Sequence, residues 1–156
     1  MDYNAGAAVG AGIVGAVAMA AVLYMGIAMM PRQMTMNLLY MLGTMMTRAT
    51  VPAYVAGAMM HAVMGIVFAL VHTGLYQALD LESGLAGWGI LFGFVHWIVA
   101  GMGIGMVGAM HPLMRSGEMQ APGPFVKNYP PMTAMGFFML HLLFGLLVGV
   151  LYQAWA

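Results

Sequence analysis

Five histidines are the side chains in this chain whose type and spacing could do chemistry: His61, His72, His96, His111 and His141. No Asp, Glu, Lys or Arg falls inside the long apolar stretches, so apart from tyrosine these are the only titrating groups there. An ionisable residue at membrane depth is a functional candidate by default. His61 stands in a line of small residues spaced by four (Gly57, His61, Gly65, Ala69), which is one face of a helix. The pattern returns as His141, Gly145, Gly149. Small-residue faces pack against other helices, so these imidazoles are expected to face protein rather than lipid.

Three chemistries fit. Neutral imidazoles can hydrogen-bond across helices and hold them together, at about 1 kcal/mol per contact. Alternatively, His61 and His141 are axial ligands of a b-type haem, with Gly65 and Gly145 leaving room for the porphyrin and His96 a further cofactor-binding candidate. In the third, imidazole and thioether bind copper, with Met110, His111 and Met114 as ligands at a helix end and Met59, Met60, His61 and Met64 as a second cluster. His72 shares a face with His61 but has no evident partner at its depth.

The solvent around these residues follows from composition. Charged residues are 5% of the chain and hydrophobic ones 63%, with a mean hydropathy of +0.94. A soluble domain carries roughly 25% charged residues, so the bilayer is the solvent that fits. A formal net charge of zero leaves no basic patch for nucleic acid. With no cysteine there are no disulfides, thiolate metal sites or iron–sulfur clusters. The 21 methionines read as flexible packing between helices or as soft-metal ligands. There is no carboxylate pair, Ser–His–Asp set, phosphate loop or HExxH, so the chain is not expected to be an enzyme.

Four transmembrane helices are expected, at 5–30, 52–79, 85–111 and 130–155, making one all-α integral membrane domain over 1–156. The first has no basic residue ahead of it, only Asp2, and reads as a retained helix rather than a signal peptide. The apolar segment 34–46 is too short to cross and is expected as a short interfacial helix; a re-entrant loop would need protein cover. Leu113 to Tyr129 is the clearly polar loop. Arg32, Arg48, Arg115 and Lys127 all fall in the first and third connections, which predicts those connections in the cytoplasm and both termini outside, in the cell's inner membrane.

The halves repeat. Met25-Gly-Ile-Ala28-Met29-Met-Pro31 matches Met106-Val-Gly-Ala109-Met110-His-Pro112, and the two His-xxx-Gly motifs match at nearly the same offset. Two tandem hairpins related by a pseudo-twofold axis along the membrane normal are expected. With His61, Gly65, Met110, His111, Pro112, His141 and Gly145, the chain resembles a loose group of small, uncharacterised prokaryotic four-helix membrane proteins rich in Gly and Met. The resemblance implies an architecture and no activity. Glycines on the first and third helices exceed what four helices need, which suggests other integral membrane subunits as partners. The leading expectation is a non-catalytic accessory subunit of a larger respiratory, photosynthetic or metal-dependent oxidase assembly. The alternative is a haem b- or copper-binding membrane protein.

Overall fold

A computed structural model describes residues 3–156; Met1 and Asp2, the early charge noted above, lie outside the described residues. The fold is all-α, with no strand among the described residues. Four helices are long and apolar enough to cross a bilayer: α1 (Ala5–Met29), α3 (Thr50–Ala78), α4 (Leu85–Met110) and α6 (Pro131–Trp155). Each bound falls within two residues of expectation. Between them lie two short helices, α2 (Leu38–Gly43) and α5 (Pro112–Arg115), and a 3₁₀ turn at Pro124–Val126. Pro52 occupies the first turn of α3, where its missing N–H costs nothing. Val63, Val67, Val71 and Leu75 form an exposed apolar stripe along α3, as do Leu91, Val95 and Val99 on α4. Such stripes suit lipid. Met25, Met29, Met59, Met102, Met106 and Met139 are exposed too, so much of the methionine is not packing between helices.

The chain divides into two compact units. One comprises Met1–Val22, Ala62–Trp97 and Phe138–Ala156. Here glycine sets the helix contacts. A Cβ on Gly145 would overlap the Gly89 carbonyl, and one on Gly149 the Leu85 carbonyl, so α4 and α6 touch backbone to backbone. A Cβ on Gly12 would meet the Gly65 carbonyl at 2.7 Å, so α1 and α3 do the same. Gly65 and Gly145, equivalent in the repeat, thus make equivalent contacts. At one end Tyr76, Leu85 and Tyr152 pack with Ala7 and Ala8. Asn4 caps α1 by accepting from Ala7 N–H at 3.0 Å, and Gln153 accepts from Leu85 N–H at 3.0 Å. Leu81 N–H donates to the Tyr76 carbonyl and Asp80 N–H to that of Gln77, with Asp80 at φ 51°. This is a Schellman ending to α3 with Asp where Gly is usual.

The other unit comprises Leu23–His61 and Ile98–Phe137. Its connections are packed into it. The expected short helix exists and lies partly against protein: Met41 and Leu42 are buried, as are Met34 and Met36 ahead of it, while Leu38 and Leu39 are half-buried and Met46 is exposed. Cβ atoms on Gly43 and Gly57 would overlap the Ala53 and Leu39 carbonyls, so α2 lies directly on α3. Asn37 caps α2 and bonds to Tyr24 and Tyr54. Thr133 donates to the Gln33 carbonyl at 2.9 Å and accepts from Thr35 N–H at 3.2 Å. The polar loop runs back along α4, seating Ala121 at Gly108, Pro124 at Gly105 and Phe125 at Gly101. Phe125 and Val126 adopt φ of 52° and 61°, a strained geometry held by this packing. At the exposed rim, Arg48 and Ser116 bond to Glu118 and hold its carboxyl below the usual range.

Gly145→Val should therefore force α4 and α6 apart, costing about 1–3 kcal/mol or more. Gly103→Ala, where a Cβ meets open space, should be nearly neutral. Thermal unfolding of both variants in detergent checks this; equal midpoints would contradict the contact.

Candidate functional site: a buried histidine cluster

Three histidines from three helices meet in the first unit. His72 of α3 and His96 of α4 have ring centroids 5.6 Å apart, and His96 and His141 of α6 are 4.8 Å apart. Helix geometry explains the meeting of the first two. His72 lies six residues before the end of α3 and His96 eleven after the start of α4, an axial offset of ~7 Å. Side chains lean toward their helix N-terminus. The helices run in opposite directions from their shared turn, so the two rings lean toward each other. Gly93, whose Cβ would press on the His141 carbonyl, lets α6 close on α4 and brings the His141 ring beside His96.

Aromatic rings wall the cluster. Phe68 stacks on His96 at 3.7 Å. Phe92 and Phe144 set their edges against His72 at 6.0 and 5.8 Å, and Phe144 also meets His96 at 5.5 Å. Gly15 of α1 accommodates Phe144 from the other side. The three histidines are 2%, 9% and 6% exposed. Both ring nitrogens of His72 and Nδ1 of His96 find no protein hydrogen-bond partner, nor does the Tyr76 hydroxyl one turn along α3. Unsatisfied buried groups of this kind each cost about 1–3 kcal/mol, and their concentration in one place calls for an explanation.

The rings meet edge to face, at 84° and 85°, so their lone pairs do not converge. Among the described residues no group of three His, Asp or Glu stands in metal-ligating geometry.

Of the expected site residues, His96 and His141 are brought together. His61 is buried on α3, the last residue of its segment in the other unit. All four residues of the stripe Gly57, His61, Gly65 and Ala69 are buried. Gly65 and Gly145 leave no room for a porphyrin, because neighbouring helix backbones fill that space. The set Met110, His111 and Met114 is not assembled as a ligand group. Met110 is 61% exposed, while Met114 packs with Met41 and Leu42. His111 is fully buried and fully bonded. Its Nδ1 accepts from Leu113 N–H at 3.1 Å, capping α5. That leaves the proton on Nε2, which faces the Met41 carbonyl at 2.9 Å and the Thr44 hydroxyl at 3.1 Å. His111 therefore pins α5 to α2.

Sequence reasoning missed His72 as a member of the cluster, and Tyr76 beside it. The signal was available in the opposed lean of side chains on antiparallel neighbours, which counting Cα depth alone ignores. Comparison with known protein families, curated proteins and solved structures finds no match for this chain.

His111→Ala should lower stability by about 1–3 kcal/mol by orphaning the Met41 carbonyl and uncapping α5. His111→Asn, which restores the cap alone, should recover part of it. Unfolding midpoints of the two variants against the parent provide the check.

Proposed function

We propose that this chain is a non-catalytic, proton-relaying subunit of a larger membrane assembly, and that His72, His96 and His141 are its working residues. One observation carries the reading: His72 is buried with both ring nitrogens unpartnered, against a second histidine that touches a third. Imidazole donates from one nitrogen and accepts at the other, so it passes protons without a carboxylate. Ordered water between the rings would satisfy the open nitrogens and complete the path. The described residues form membrane-length helices joined by short connections, which supports a relay that serves a neighbour in the membrane. Respiratory, photosynthetic and oxidase assemblies, which couple electron and proton movement, are the types that use such a subunit. The partner rests on this need rather than on surplus glycine: Gly10, Gly12 and Gly15 of α1 and Gly89, Gly93, Gly101 and Gly105 of α4 all have close neighbours within the chain. The clustering of basic residues in the α1–α3 and α4–α6 connections supports cytoplasmic positions for those connections and an outside position for the α3–α4 turn.

A second reading is a cuprous ion on His72 and a neighbouring imidazole. The two open nitrogens of His72 favour it, provided the rings turn.

His72→Leu separates the readings from a merely structural role. Removing unsatisfied polar atoms from an apolar site should leave stability unchanged or raise it. The native assembly, extracted in mild detergent and sized on a native gel with mass spectrometry, should stay intact while its proton-coupled activity falls at least tenfold. Migration of the parent chain as a monomer or small homo-oligomer would sink the subunit reading. Copper present in the parent band and absent from His72→Leu would establish the second reading instead.

A further inference from the structure

The relay reading leaves open where protons reach the cluster, and the acidic turn after α3 supplies a route. Tyr76 and His72 are spaced by four, so they stack along one face at the end of α3, and Asp80 follows in the turn that closes the helix. A small cleft with room for about one water is lined by Tyr76, Gln77, Asp80, Leu81, Glu82 and Tyr152. Tyr76 is 1% exposed, and its hydroxyl is buried without a partner although the residue lines this cleft. One turn further in on that face is His72, also unpartnered, beside Thr73, whose buried hydroxyl is bonded to the Ala69 carbonyl.

We infer that the cleft at the acidic turn is the water-side mouth of the histidine cluster, and that Tyr76 is the residue that passes protons between them. The step is a relay of bonds to hydrogen. A hydronium ion in the cleft gives a proton to the Tyr76 oxygen and is left as water, while the Tyr76 O–H proton moves to His72, directly or through one water. One O–H bond breaks on hydronium, one forms and another breaks on tyrosine, and one N–H bond forms on His72, which carries the positive charge until its other N–H proton passes to the next imidazole; no electron is transferred. The exposed Asp80 carboxylate concentrates cations at the mouth. Tyr152, the other hydroxyl there, is already engaged as an acceptor from Asn4 N–H at 3.1 Å. The groups facing His72 are His96 and Phe92 from α4 and Phe144 from α6, with His141 beyond His96, so protons continue toward His141 and meet no carboxylate. Asp80 itself argues for the role. It holds φ at 51°, where Gly would be less strained, so its carboxylate is kept at a backbone cost.

The inference rests on the relay reading, and one experiment distinguishes their failures. The full chain is labelled with ¹⁵N-histidine, placed in lipid nanodiscs, and the exchange of ring N–H protons with water is followed by NMR. The parent should show exchange at His72. Tyr76→Phe should slow it at least tenfold, and Asp80→Asn, at an exposed turn position, should slow it severalfold. Unchanged exchange in Tyr76→Phe and in the turn variant would overturn this route and leave the relay reading standing. Absence of exchange at all three cluster histidines in the parent would overturn both.

Discussion

In hydrocarbon a polar group has no water to turn to, and the rest of this structure depends on that constraint. Long helices satisfy their own backbones. The connections cannot, so they are folded against helices where side chains supply what is missing. Asn37 ties Tyr24 and Tyr54 together at the start of α2, Thr133 bonds both sides of Gln33 to Thr35, and His111 holds the Met41 carbonyl. Glycine makes this possible, because a connection can only lie on a helix that has no side chain in the way. Gly57 receives the carbonyl of Leu39, and Gly101, Gly105 and Gly108 receive the loop from Ala121 to Phe125.

The helices were legible in the sequence because bilayer-length apolar runs ended by Pro31, Pro112 and the Asp80–Gly84 turn leave little choice of boundary. The buried stripe through Gly57, His61, Gly65 and Ala69 was legible for the same reason, since spacing by four is a property of the helix alone. The connections were not. Met34, Met36, Met41 and Leu42 are as compatible with lipid headgroups as with protein cover, and only the tertiary fold decides. Gly89, Gly93, Gly101 and Gly105 share one face by spacing, yet Gly89 and Gly93 receive α6 while Gly101 and Gly105 receive a loop.

The histidines show how little residue type decides by itself. His111 and His72 are both essentially buried. Beside His111 the folded connections bring a backbone N–H, a carbonyl and a hydroxyl, which satisfy both nitrogens and fix the tautomer. Beside His72 the neighbours are Phe92, Phe144 and another imidazole, which offer ring edges and faces. The first is a pin and the second is not, because nothing it touches rewards its polarity. Sequence spacing could not separate them, since the Nε2 partners of His111 come from a connection some 70 residues away.

That asymmetry is the strongest argument that the cluster has a task. An apolar residue of similar volume at position 72 would remove two unsatisfied nitrogens from a wall of phenyl rings, and such replacements are commonly neutral or stabilising. Glycine at position 80 would relieve a left-handed backbone that costs on the order of 1 kcal/mol. The unpartnered Tyr76 hydroxyl lies on the same face of α3 as His72, and Asp80 follows in the turn that closes the helix. Local rules that a protein breaks without structural gain are expected at functional sites, and here three such breaches follow one another from the acidic turn to the buried imidazoles. A purely structural helix end would have no reason to collect them.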